Sequence, residues 1–99
     1  TTLDLRCNEI GDEGATALSK NITWTNLTML DLYFNSIWKK GARALSKNTT
    51  WNKLTDLDFS GNKISDEGGS TVKARWPSAR IMMDWEEIEL FDILHLLYL

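Results

Sequence analysis

A period of 27 residues constrains the fold of this chain more than any other feature. Leu-Asp-Leu stands at residues 3–5 and 30–32, and Leu-Asp-Phe stands at residues 57–59. Residues 3–29 and 30–56 are identical at 16 of 27 aligned positions, so these segments are copies of one unit. Such a period indicates a solenoid, in which each repeat buries its apolar face against its neighbours.

Each repeat is predicted to begin with a short strand. In the second repeat, Leu30 and Leu32 alternate with Met29, Asp31 and Tyr33. Because successive side chains of a strand point to opposite faces, this alternation indicates one buried and one exposed face. We expect the two leucines to point inward and the other three side chains to point outward.

An asparagine follows each strand at a fixed distance. Asn8, Asn35 and Asn62 hold the same position in the three repeats. A short amide side chain can hydrogen-bond the backbone groups of a turn. We therefore expect these three residues to form a ladder that supports the loops.

A helix is predicted after each turn. In the first repeat Asp12 is expected to be the N-cap, since its side chain can accept a backbone hydrogen bond at a helix start. Ala17 with Leu18, and Ala44 with Leu45, are expected to face the strands. Because a helical crossover joins each strand to the next, the strands must be parallel. Helices need more room than strands, so the stack should curve with its strands on the inside.

The second repeat resembles a leucine-rich repeat in the spacing Trp24-x-x-Leu27-x-x-Leu30-Asp-Leu32-x-x-Asn35-x-Ile37-x-x-x-Gly41-x-x-x-Leu45. The helical unit and the Gly-Asp-Glu-Gly-Ala segment at residues 11–15 resemble the ribonuclease-inhibitor subfamily, which also supplies the sensor regions of NOD-like receptors. The resemblance implies an α/β horseshoe, a right-handed solenoid with a concave parallel sheet and convex helices.

The resemblance divides the chain into three parts. It covers residues 1–72, with repeats that start at residues 3, 30 and 57. Residues 73–84 are predicted to be a degenerate repeat with one strand. Residues 85–99 have apolar side chains at helical spacing and are predicted to form a helix that caps the last repeat or docks another chain.

The outward strand positions are the predicted binding surface. Asp4, Asp31 and Asp58 are equivalent, and a row of carboxylates favours a cationic partner, although hydrated carboxylates without a binding role are the alternative. Tyr33 and Met29 are the expected anchors, because aromatic and Met side chains are enriched in interfaces. The full set of candidate residues is Asp4, Arg6, Met29, Asp31, Tyr33, Asp56, Asp58 and Ser60.

Aromatic residues outside the strands have two interpretations. Trp24, Trp51 and Trp76 fall in the return loops, where they could stack on a carbohydrate or base, but a core position is favoured. Trp38 is expected to be exposed and to make contacts. Phe34 either extends the surface around Tyr33 or is buried in the turn.

Composition and motifs exclude several functions. The net charge of −3 argues against nucleic acid as the partner. The apolar stretch at residues 88–99 is too short to span a membrane. No phosphate-binding loop or metal-ligand cluster is recognisable, so neither a cofactor nor a metal is expected. Cys7 is the only cysteine, so no internal disulfide can form.

These features together predict a non-catalytic module that binds a protein with a basic surface. The alternatives are a structural spacer within a longer repeat protein and, less favoured, a hydrolase that uses paired aspartates. Self-association through exposed repeat ends is also expected. The chain begins inside a repeat and shows no signal peptide, so we expect a fragment of a longer, cytoplasmic protein.

Overall fold

The computed structural model describes residues 1–83 and Leu97. The predicted helix at residues 85–99 therefore lies outside the described residues, apart from Leu97. Strands and helices alternate along residues 1–83. They are β1 (Thr2–Asp4), α1 (Gly11–Leu18), β2 (Met29–Asp31), α2 (Lys39–Ser46), β3 (Asp56–Asp58), α3 (Ser65–Arg75) and β4 (Arg80–Met82).

The four strands form one parallel sheet in the order β1-β2-β3-β4. Leu3, Leu30 and Leu57 are aligned across β1, β2 and β3, and Ile81 continues their row on β4. The predicted alternation of parallel strands and helices is confirmed. Arg80 pairs with Asp56, which precedes it by 24 residues, so the last repeat is shorter than the 27-residue period.

The core lies between the sheet and the helices. Leu30 and Leu32 are almost fully buried, as the strand pattern predicts. The predicted inward helix face is wrong in part, because Ala15 and Ala42 are fully buried, Ala17 is exposed and Ala44 is only half-buried. Each buried alanine precedes the inward leucine of its helix by three residues, and residues three apart share a helix face.

Asp12 caps the helix of the next repeat rather than its own. Helix α1 begins at Gly11 without a side-chain cap, so the predicted N-cap is wrong. The Oδ1 atom of Asp12 accepts hydrogen bonds from the backbone N–H of Trp38 at 2.8 Å and of Gly41 at 2.9 Å. A Cβ atom at Gly41 would lie 2.5 Å from this oxygen. Only glycine at residue 41 therefore leaves room for the Asp12 carboxylate at the start of α2. The carboxylate supplies the negative charge that the start of α2 lacks.

Two of the three return-loop tryptophans belong to the core. Trp51 is fully buried, Trp76 is 4% exposed, and their rings stack with centroids 6.4 Å apart. The Trp76 indole N–H donates to the Trp51 carbonyl at 2.9 Å. Trp24 is 39% exposed, so its core prediction is wrong. Its loop lies at the β1 edge of the described stack, where no described repeat covers the ring.

Candidate interaction surface

The equivalent aspartates lie in one row across the sheet. Asp4 is paired in register with Asp31, and Asp31 with Asp58. Met82 occupies the next position, on β4. Asp4 is exposed, whereas Asp31 and Asp58 are half-buried. We call this outward side of β1–β4 the strand face.

Each carboxylate of the row also holds the end of its own strand. Oδ1 accepts a hydrogen bond from the backbone N–H two residues further along the chain, which forms a local turn around the side chain. The three bonds join Asp4 to Arg6 at 3.1 Å, Asp31 to Tyr33 at 3.0 Å and Asp58 to Ser60 at 2.8 Å. This structural role is absent from the sequence predictions, although an aspartate as the last residue of a strand is a signal for it.

Arg6 neutralises the β1 side of the row. Its Nε lies 2.9 Å from Asp4 Oδ1, its Nη2 lies 2.8 Å from Asp4 Oδ2, and its Nε lies 3.6 Å from Asp31 Oδ2. These bonds hold the pKa of the Asp4 carboxyl below its usual value and raise the pKa of the Arg6 guanidinium. The pair is exposed to solvent, so it contributes little to stability.

The β3 side of the row has no such ion pair among the described residues, although Arg80 is aligned with Asp56 on β4. Within residues 1–83, no cationic side chain lies within ion-pair distance of Asp56 or Asp58. The Asp31 side chain is only 14% exposed and is already engaged with Tyr33 and Arg6. Of the three carboxylates of the row, Asp58 therefore has the most to gain from an external cation.

Two neighbouring aromatic rings are exposed beside the row. Tyr33 is 43% exposed, Phe34 is 61% exposed, and their ring centroids are 6.1 Å apart. Phe34 therefore extends the surface around Tyr33 and is not buried in the turn. Met29 and Ser60 are half-buried. Ser60 lies next to this pair, since its carbonyl accepts from the Phe34 N–H, whereas Met29 lies at the other end of β2, so the two predicted anchors Tyr33 and Met29 are separated by Asp31. Trp38 is also exposed, at 54%, and the Lys63 ammonium lies 5.3 Å from its ring centroid.

Buried amides support the turns beneath the strand face. Asn35 Oδ1 accepts from the N–H of Asn8 and Ile10, and Asn62 Oδ1 accepts from the N–H of Asn35 and Ile37. Asn35 is fully buried, whereas Asn8 is exposed and its amide donates only to carbonyls of its own turn. The amides thus link each turn to the preceding one.

Outside the strand face, the described part of the chain has a cavity but no assembled metal site and no membrane-spanning helix. A cavity of about 260 Å³ lies at the return loops, and its lining, which includes Asn52, Arg75 and Trp76, shares no residue with the strand face. Among residues 1–83 and Leu97, no group of three or more potential metal ligands is assembled. None of the helices described here has the length and apolar character that crossing a membrane requires.

The family model described as Leucine Rich repeat matches residues 1–19 and 52–72. These matches support a leucine-rich repeat protein. With the parallel sheet and the alternating helices, they identify an α/β leucine-rich-repeat fold. No curated protein and no solved structure matches the chain.

Proposed function

We propose that this chain is a non-catalytic module that binds a protein partner on its concave strand face. Leucine-rich repeat domains generally mediate protein–protein interaction and are generally non-catalytic. The observation that carries the proposal is that exposed Tyr33 and Phe34 lie next to the end of β3, where Asp58 has no cation within ion-pair distance among residues 1–83. A ribonuclease-inhibitor-like repeat is part of this proposal, supported by the α-helix in each of the first three repeats.

A basic partner surface fits this face best. Among residues 1–83, Asp58 has no cation within ion-pair distance, whereas Asp31 is already close to Arg6. Opposite charges across an interface mainly speed association and fix orientation. We therefore expect the association rate to rise as the salt concentration falls, because salt screens exposed charges.

The experiment compares partner capture by the full chain with capture by a variant of the face. The variant carries Tyr33→Ala and Asp58→Asn. Its control carries Glu13→Gln, which also removes one negative charge, but at an exposed position of α1. Bound proteins are cross-linked and identified by mass spectrometry, and folding is checked by circular dichroism. Loss of specific cross-links only in the face variant supports the proposal, whereas equal capture by a folded variant leaves the spacer alternative.

The hydrolase alternative has its own test. Asp31 is the aspartate at the middle of the row, but its carboxylate is held by the Tyr33 N–H and lies near Arg6. Any hydrolytic turnover that Asp31→Asn abolishes would contradict a non-catalytic function. We further propose a cytoplasmic location, to be tested by fractionating cells that express the tagged chain.

A further inference from the structure

Phe34 occupies a backbone conformation that disfavours a bulky side chain. Its φ angle is 55°, and the equivalent residues Cys7 and Gly61 have φ angles of 58° and 73°. The turn therefore imposes a left-handed conformation in all three repeats, and glycine adopts it at the lowest cost. The Phe34 side chain is 61% exposed. Burial of its ring therefore contributes too little to offset the cost of the left-handed backbone. Strained residues of this kind cluster at functional sites.

The neighbouring repeat leaves room for the Phe34 ring. A Cβ atom at Gly61 would lie 3.2 Å from Phe34 Cα and 3.3 Å from its ring atom Cδ2. The Phe34 N–H donates to the Ser60 carbonyl at 3.0 Å, and the Ser60 N–H donates to Asp58 Oδ1 at 2.8 Å. These bonds place the Phe34 backbone beside the end of β3, where Asp58 has no cation within ion-pair distance in the described part of the chain.

The chain already places cations over two other aromatic rings. Lys63 Nζ lies 5.3 Å from the Trp38 centroid, and Arg75 Cζ lies 4.9 Å from the Trp76 centroid. Among the described residues, no cation covers Tyr33 or Phe34. An exposed ring next to a carboxylate attracts a cation through both the ring quadrupole and the charge.

We propose that Tyr33, Phe34 and Asp58 form the subsite for an arginine side chain of the protein partner. A planar guanidinium can stack on an aromatic face and at the same time donate two parallel hydrogen bonds to a carboxylate. Lysine, a compact point charge, satisfies only one of these contacts well. This inference rests on the proposed function and names the partner group that the strand face recognises.

The test begins with a displayed library of random peptides selected on the full chain. Selected peptides are then synthesised, and their affinities are measured by isothermal calorimetry. We expect an arginine to recur among them, and its replacement by citrulline, a neutral isostere, should weaken binding about tenfold or more. Replacement by lysine should cause a smaller loss.

Phe34→Gly separates recognition from a structural role. It places at residue 34 the amino acid that the third repeat carries at residue 61, so the melting temperature should stay the same or rise, while peptide affinity falls about tenfold or more. The control Ile22→Gly removes another exposed apolar side chain and should leave affinity unchanged. Asp58→Asn should weaken binding of the arginine peptide and leave the affinity of its citrulline form nearly unchanged.

Three outcomes overturn the inference. A lower melting temperature with unchanged affinity in Phe34→Gly would make Phe34 structural. Peptides that require Tyr33 and Asp58 but lack arginine would overturn the arginine subsite and leave the proposed function standing. If no selected peptide depends on the strand face, both proposals fall.

Discussion

The buried amides provide the sharpest test of how the repeats hold together. Alanine substitution at Asn8, Asn35 and Asn62 removes the same group from three equivalent positions. Asn62 makes buried hydrogen bonds to the N–H of Asn35 and Ile37 and to the carbonyls of Leu32 and Phe59. The Asn35 bonds to neighbouring turns are part-buried, and those of the exposed Asn8 amide are solvent-accessible. The cost should therefore increase along the series.

The magnitudes follow from the groups that each substitution leaves unpaired. A buried backbone group without a partner costs about 1–3 kcal/mol. We expect Asn62→Ala to lower the free energy of unfolding by about 3–5 kcal/mol, because several buried groups lose partners together. Asn35→Ala should cost about 1–3 kcal/mol, and Asn8→Ala less than about 1 kcal/mol, because water can replace its bonds. The whole domain has about 5–15 kcal/mol of stability, so Asn62→Ala should approach unfolding.

Urea unfolding followed by far-ultraviolet circular dichroism measures the series. The control is Asn26→Ala, which removes an exposed amide bonded only to the Lys53 ammonium and should change stability by less than about 0.5 kcal/mol. Equal losses at Asn8 and Asn62 would refute the reasoning from burial. A neutral effect at Asn35 would show that its turn does not depend on the amide.

Three further outcomes are expected. Asp12→Ala should cost about 1–2 kcal/mol and speed hydrogen exchange at the Gly41 amide, because this amide loses its acceptor; unchanged exchange would contradict the inter-repeat cap. Trp76→Ala should cost about 3–5 kcal/mol in thermal unfolding, since it leaves a cavity in the core. The Asp4 pKa lies below its ordinary value of 3.8, so the stability from its bonds to Arg6 is complete above pH 3.8 and is lost as the pH falls through the lowered value. In Arg6→Gln the Asp4 midpoint, followed by NMR, should rise; an unchanged midpoint would contradict the assigned cause.

The sequence predicts the strand layer well because a local pattern determines it. Leu30 and Leu32 alternate with Asp31, and the 27-residue period repeats that alternation in register. Side-chain direction in a strand depends only on this two-residue alternation. The buried and exposed positions of the sheet therefore follow once one repeat is aligned with the next.

The helix layer is predicted less well because its decisive contact is not local. Asp12 bonds amides that follow it by 26 and 29 residues, and no short motif joins those positions. The available signal is indirect: helix α2 has no acidic residue of its own in its first turn. A helix start with that deficit needs a cap from elsewhere. Asp12 lies in the first turn of α1, the helix stacked next to α2, and is therefore the nearest candidate for that cap in a regular stack.

The recurrence of aspartate in the row does not by itself indicate a binding role. Asp4, Asp31 and Asp58 each close a strand end, so their recurrence follows from the backbone hydrogen bond alone. The second carboxylate oxygen, Oδ2, takes no part in that backbone bond. For Asp4 and Asp31 that oxygen lies near Arg6, which leaves Asp58 as the exception.

Specificity must then come from positions at which the repeats differ. The two residues that follow the strand motif are Arg6 and Cys7 in the first repeat and Ser60 and Gly61 in the third. Only the second repeat places two exposed aromatic rings there, and it does so despite the left-handed backbone at the second position. The turn geometry is common to all three repeats, so it cannot account for the aromatic pair. A partner that recognises this face should therefore distinguish the second repeat from its neighbours through these rings, with Asp58 as the adjacent charge.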